Sequence, residues 1–309
     1  MGPGPNDLVQ QALVARRYYL EGRTRIQIAD EFGISRFKVA RILDDALTSG
    51  IVEIKVHTPD SIDIDLSSAL KREYGLEHAY AVASKSPNTT DRVDAVAKTM
   101  AELLASILTP DDILGVDCGR TLTHVTGHLH TLAPCDIVQL TGMAGAITAN
   151  SAELTRQMAE IGGGHCWPIY APLVAPDDRT ATALGRNRQI QQARAKHKLI
   201  TCAIVSIGTW QPGTSQVYDS LTADEAQTLR SQGAAAETCA LLVDRNGKRI
   251  NAIDHRRIGI DEQTLRAIPT VIAIAAGHEK TESTRAVLSS GLVSSIITDT
   301  QIAAACLQH

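Results

Sequence analysis

Two groups of side chains in this sequence have types and spacings that could do chemistry. The first lies in Arg25-Ile26-Gln27-Ile28-Ala29-Asp30-Glu31-Phe32-Gly33-Ile34-Ser35-Arg36-Phe37-Lys38-Val39-Ala40-Arg41-Ile42. Ile28, Phe32, Ile34, Val39 and Ile42 are spaced to fill the gap between two crossed helices. Ala29 is small where they touch, and Gly33 supplies a left-handed turn. Ser35, Arg36, Phe37, Lys38 and Arg41 are left facing outward on the second helix, a set suited to base edges and phosphates of a DNA major groove. Arg36 and Arg41 are candidates for base or phosphate contact, and Lys38 for phosphate. Phe37 fits either the groove or a packing role against the first helix. Thr24 and Gln27, at the head of the first helix, complete the candidate DNA face.

The second group comprises three loops that follow predicted strands and could face one end of a sheet. Gly115-Val116-Asp117-Cys118-Gly119-Arg120-Thr121-Leu122 runs from strand to helix through a glycine turn. The amides of such a helix start, with Arg120 and the Thr121 hydroxyl beside them, suit a phosphate or sugar hydroxyls. Gln139-Leu140-Thr141-Gly142-Met143-Ala144-Gly145 has two glycines that let backbone approach a ligand. In Ala275-Ala276-Gly277-His278-Glu279-Lys280 the lysine begins a helix and can reach an anionic or hydroxyl-rich ligand. Glu237 sits in an otherwise apolar run, where a carboxylate needs a partner or a ligand unless it is exposed at a strand start.

Other chemistries lack their residues. There is no G-x-G-x-x-G spacing and no P-loop lysine, so NAD and ATP are not expected and no cofactor is predicted. The six cysteines (118, 135, 166, 202, 239, 306) are scattered singly with no C-x-x-C, and read as reduced, buried small hydrophobes. His165, His197 and His255 have no partner at metal-ligand spacing, and no nucleophile stands beside a base.

The elements that must position these residues follow from periodicity. Leu8–Leu20 has helical spacing that stops at Gly22; Thr24–Phe32 and Ser35–Gly50 are two further helices with Thr24 and Ser35 as caps. Ile51–Val56 alternates like a half-buried strand closing a first domain, 1–57. Residues 58–309 alternate predicted strands (Ala79–Ala83, Ile113–Asp117, Ile137–Thr141, Cys166–Tyr170, Leu199–Ile207, Thr238–Asp244, Val271–Ala276, Ser295–Thr298) with helices. That pattern predicts an α/β domain with a mostly parallel, Rossmann-like sheet, whose ligands sit beyond the carboxyl ends of its strands. Asp244–Lys248 reads as a hairpin turn.

At 309 residues, 44% hydrophobic and 21% charged, the chain has the composition of a soluble two-domain protein. Its net charge of −4 divides into +1 over residues 1–57 and −5 over the rest, which argues against a general nucleic-acid coat but not a local one. No apolar run nears the roughly 20 residues of a membrane span. The first residues lack signal-peptide character, so a cytoplasmic location without membrane contact is expected.

These motifs resemble one family throughout. Ile28-Ala29 through Gly33-Ile34-Ser35-Arg36, Lys38-Val39, Arg41-Ile42-Leu43 and Gly50-Ile51-Val52 resemble the helix-turn-helix, winged-helix-like domain of SorC-type regulators. Gly115–Leu122, Ala276–Lys280 and Gly291-Leu292-Val293 to Ile297-Thr298-Asp299 resemble loops of that family's sugar-binding domain. The resemblance implies a transcription repressor of carbohydrate genes, with an effector domain similar in fold to ribose-5-phosphate isomerase and glucosamine-phosphate deaminase. It implies a homodimer or homotetramer on palindromic operator DNA, and a sugar or sugar-phosphate effector held by Cys118–Thr121, Thr141–Gly145, Glu237 and Lys280. This sequence departs from the pattern at Cys118, His278 and Glu237-Thr238. The competing reading is a sugar-phosphate isomerase or deaminase with Glu237 or Asp117 as base; a third is a DNA-binding protein whose large domain only mediates assembly. The front 57 residues favour the regulator, since an enzyme has no use for a helix-turn-helix.

Overall fold

The computed structural model describes residues 4–54, 61–84, 86, 88–144 and 151–308. The chain divides into two compact units, Met1–His57 and Thr58–His309.

In the first unit, α1 (Pro5–Ala15) continues into a π-helical turn, Arg16–Leu20, and is followed by α2 (Arg25–Phe32) and α3 (Arg36–Thr48). Thr24 and Gln27 form a reciprocal capping box at the start of α2, and the Ser35 hydroxyl accepts the Lys38 amide at the start of α3. These caps satisfy amides that have no partner inside a helix. Gly33, at φ +62°, makes the left-handed turn between α2 and α3. Val14, Ile28, Val39, Ile42, Leu43 and Ala46 form the core between the three helices. The expected strand at Ile51–Val56 is not formed at Ile51–Ile54, which make bends and irregular backbone; its last two residues lie outside the described ones. Alternation alone does not make a strand when no neighbouring strand takes up its amides.

The second unit carries an eight-stranded sheet and a four-stranded one. In chain order the strands are β1 (Ile62–Asp63), β2 (His78–Val82), β3 (Ile113–Val116), β4 (Asp136–Gln139), β5 (Cys166–Trp167), β6 (Cys202–Ser206), β7 (Gly208–Thr209), β8 (Ala236–Thr238), β9 (Leu241–Val243), β10 (Arg249–Ile250), β11 (Thr270–Ala275) and β12 (Ser295–Asp299). The large sheet runs β1-β2-β12-β11-β6-β3-β4-β5, parallel except for β1 against β2. The small one runs β10-β9-β8-β7 and is antiparallel.

Helices cover both faces of the large sheet, as burial on both sides of parallel strands requires. The connecting helices are α4 (Ile64–Tyr74), α5 (Thr89–Ile107), α6 (Arg120–His128), α7 (Ser151–Gly162), α8 (Asp178–Gly185), α9 (Arg188–His197), α10 (Gln216–Asp219), α11 (Ala223–Ser231), α12 (Glu262–Arg266), α13 (Thr281–Ser289) and α14 (Thr300–Cys306). Within β6, Ala203 and Val205 pack with Leu70, Val287 and Ile302 of α4, α13 and α14. Cys202 and Ile204 pack with Met100, Leu122 and Met158 of α5, α6 and α7. That two-residue alternation sets the faces of the sheet.

The predicted strand Thr238–Asp244 is broken. Cys239 and Ala240 form a buried two-residue hairpin with φ of +49° and +57°, joining β8 to β9. Primed turns of this kind favour Asn-Gly, so Cys-Ala gave no turn signal. The Asp244–Lys248 turn forms as read, the Asp244 carboxylate accepting the Asn246 and Lys248 amides.

Gly142 is small for a packing reason. A Cβ there would lie 2.7–2.8 Å from backbone atoms of Pro172 and Ala171. Gly142→Ala is therefore expected to destabilise the second unit by about 1–3 kcal/mol, because backbone cannot yield as a side chain does. Urea unfolding followed by tryptophan fluorescence reads this; an unchanged midpoint would show that the segment shifts freely.

Candidate functional site

The large sheet has one place where the chain's winding changes direction. From β3 it steps outward through β4 and β5, then returns to β6 and proceeds the other way through β11 and β12. Between the carboxyl ends of β3 and β6 the departing loops diverge and leave a crevice. A cleft of about 360 Å³ opens there, lined by residues that include Cys118, Gly119 and Arg120 after β3, Ser206 and Gly208 at β6–β7, Ser215 and Asp219 around α10, Glu237 on β8, and Lys280.

One wall is cationic. Arg120 is the first residue of α6 and is exposed, so its guanidinium stands beside the free first amides of a nine-residue helix. Lys280 closes a short 3-10 turn, His278–Lys280, and donates to the Thr121 hydroxyl at 3.4 Å. That turn is anchored from β12: the Asp299 carboxylate accepts the Gly277 amide at 2.8 Å and caps α14 with its other oxygen. Burial and the neighbouring Arg120 hold the Lys280 ammonium down to about 8.

The rest of the lining is rich in hydroxyl and carboxyl groups. Ser215 caps α10 by accepting the Tyr218 amide and donates its own proton to Glu237 Oε1 at 3.1 Å. Asp219 accepts the Gly213 amide at 2.8 Å. Glu237 is buried, and Gly208, its cross-strand partner, leaves room for its carboxyl: a Cβ on Gly208 would lie 2.7 Å from Glu237 Cδ. Burial and the neighbouring Asp117 raise the Glu237 carboxyl to about 7.

Of the candidate effector residues, Cys118, Gly119, Arg120, Glu237 and Lys280 line the cleft, and Thr121 supports Lys280 from behind. Asp117 does not line it. Its carboxylate is buried and accepts Thr141 Oγ1 (3.0 Å), Ser206 N (3.3 Å) and Cys239 N (3.2 Å), a strut that ties β3, β6 and the β8–β9 turn together. Burial still raises this carboxyl. Thr141 therefore spends its hydroxyl on Asp117. Gly142 and Met143 hydrogen-bond to Ile258 and Ala171, and Ala144 joins an apolar cluster with Leu173 and Trp210. These four residues leave β4, one strand further from the crevice, and are packed against protein. Gly145 lies outside the described residues.

The sequence reading missed Thr123, His124, Ser206, Gly208, Thr214, Ser215, Gln216 and Asp219 of the lining. Ser206-Ile207-Gly208 ends a strand as the chosen loops do, and was the available signal. Gly213–Asp219 had none, because it follows no long strand.

In the first unit Arg36, Phe37, Lys38 and Arg41 are all exposed, Phe37 at 72%. The structure thus turns Phe37 to solvent and not toward α2. The Arg36 guanidinium lies 4.9 Å from its ring centre. Arg17 and Arg23, by contrast, are engaged with Glu21 and Glu31. Thr24 Oγ1 and Gln27 Oε1 are occupied by their capping box, leaving the Gln27 amide nitrogen as the donor they can offer a backbone phosphate.

A model of the sugar-binding domain family matches residues 60–308, and the chain belongs to that family. The deoxyribonucleoside regulator of Bacillus subtilis (strain 168) is 28% identical to it over 299 residues, covering 94% of this chain and 95% of that one. The transcriptional regulator LsrR of Escherichia coli (strain K12) is 23% identical over 304 residues, 97% of this chain and 94% of the relative. Among solved structures, the full-length sorbitol operon regulator SorC from Klebsiella pneumoniae matches with a TM-score of 0.75 at 21% identity, over 98% of this chain and 100% of that chain. The chain is a transcriptional regulator with a sugar-binding domain, and not an enzyme. No helix among the described residues is long and apolar enough to cross a membrane.

Proposed function

We propose that residues 1–57 read operator DNA through α3 and that residues 58–309 hold a phosphorylated sugar in the β3–β6 cleft, which changes the affinity for DNA. The observation that carries this reading is the division of the lining: Arg120, Lys280 and the start of α6 in one part, Glu237, Ser215 and Asp219 in the other. A phosphate is matched to the first part by charge and by helix amides, and sugar hydroxyls are matched to the second as donors to carboxylates. On this reading Asp117 and Thr141 act from behind, fixing the loops that carry the cleft.

A single helix-turn-helix covers too little DNA for tight specific binding, where interfaces of about 1,000–2,500 Å² of protein surface are usual. The protein therefore works as a homodimer or homotetramer, assembled through the second unit, in the cytoplasm. It acts as a repressor of carbohydrate genes, and the effector releases it. A coupling of about 1–3 kcal/mol suffices for a 5- to 150-fold change in DNA affinity.

A thermal-shift panel of sugars, polyols and sugar phosphates tests the site. A ligand at 100 times its dissociation constant adds about 2.7 kcal/mol to stability, so a selective rise with one phosphorylated sugar is expected. A rise with neutral sugars alone would remove the phosphate from the reading, and no rise with any member would overturn it.

A further inference from the structure

We propose that the cleft takes up a proton together with its anionic effector, with the Glu237 carboxyl as acceptor, so that effector affinity rises as pH falls. The inference rests on the anion seat proposed above. Two buried carboxyls lie at the Cys239-Ala240 turn: Asp117 accepts the Cys239 amide, and Glu237 stands on β8 just before the turn. They are unequally served. Asp117 has the Thr141 hydroxyl and the Ser206 amide beside that of Cys239. Among the described residues Glu237 has one such donor, the Ser215 hydroxyl. Hydrogen bonds to the charged form favour ionisation, so of the two carboxyls Glu237 is the one that holds a proton.

The charges around Glu237 make that proton matter. Lys280 faces the cleft from the 3-10 turn, with Glu279 next to it in the chain, Arg120 and His124 face it from α6, Asp219 from α10 and Cys118 from the loop after β3, with the Cys239 thiol behind. A dianionic group seated against Arg120 and Lys280 adds negative charge close to a carboxyl already buried beside Asp117. Protonating Glu237 removes that repulsion, and the same anion holds the Lys280 proton in place. With Glu237 already held up to about 7 and Lys280 down to about 8, both groups exchange protons near neutrality. An anion raises both values, so the complex binds more protons than the free protein, and by linkage affinity falls as pH rises.

Sulfate is the probe, because it is a dianion that does not itself titrate in this range. Its affinity for the full-length protein, from thermal-shift titrations, is expected to be about twentyfold higher near pH 6 than near pH 8, a factor of about ten from a group of pKa about 7 and about two from Lys280. E237Q keeps an oxygen for Ser215 and is permanently neutral. It should bind sulfate near pH 8 almost as the wild type does near pH 6, with about a twofold slope left from Lys280. Equal wild-type affinity at both pH values, or a slope of about twentyfold that persists in E237Q, would overturn the proposal. Sulfate that binds at neither pH would instead remove the anion seat, and the proposal with it. A measurement on the wild type alone covers the case of a misfolded variant: sulfate addition in weakly buffered solution with a pH indicator should show proton uptake, and no uptake on binding overturns the inference.

Discussion

Arg41→Ala is expected to weaken operator binding by about 5- to 150-fold, the worth of one good bidentate contact to a base, while leaving effector binding unchanged. Arg41 projects from the middle of α3, is exposed, and makes no ion pair among the described residues, so removing it takes nothing from the folded unit. The core contacts of α3 run through Val39, Ile42, Leu43 and Ala46 instead. Fluorescence anisotropy on a duplex enriched from a random pool by the wild-type protein gives the affinity, and melting with and without sugar phosphate gives the cleft. A loss spread evenly over all sequences would make Arg41 a phosphate contact; no loss at all would remove α3 from the DNA face.

Lys280→Ala is expected to do the reverse. A hydrogen bond to a charged group is worth about 1.5–3 kcal/mol, so effector affinity should fall about 10- to 150-fold with DNA binding intact and no longer responsive at the original effector concentration. Among the described residues the half-buried Lys280 ammonium has one hydrogen-bond partner, the Thr121 hydroxyl at 3.4 Å, so its loss leaves little unsatisfied. The variant should fold with a melting temperature at least that of the wild type. If the two substitutions weakened the same activity, the division of labour between the units would be wrong.

The parts of this molecule that were legible in sequence are those where a local rule and the tertiary structure agree. Thr24 and Ser35 cap because each precedes an apolar helical run, and Gly33 turns because no other residue type does so without strain. The parallel sheet followed from apolar strands separated by helices. Order along the chain, however, does not say which strand ends share a crevice. The loops after β3 and β11 flank β6 and form the cleft, whereas the loop after β4 lies one strand away and is packed against the 171–173 segment.

Asp117, part of a loop whose spacing suits a ligand, proves to be a strut for a related reason. An acidic residue after a strand reads as a ligand contact, yet three donors from three segments converge on it. The Cys239-Ala240 turn left no trace in composition because its positive φ angles are imposed by the structure around it. Those angles carry backbone strain of about 1–3 kcal/mol each, and they aim the Cys239 amide at the Asp117 carboxylate. The irregular path of Ile51–Ile54 shows the converse, a strand pattern with no partner strand among the described residues.

The central claim is that occupancy of the β3–β6 cleft changes DNA affinity. Its most direct test is operator anisotropy with the full-length protein, titrated with whichever sugar phosphate raises the melting temperature, in wild type and Lys280→Ala side by side. A saturable 5- to 150-fold loss of DNA affinity is expected in the wild type, with a midpoint at the effector's own dissociation constant, and a midpoint shifted at least tenfold higher in the variant. DNA affinity unchanged at saturating effector would contradict it.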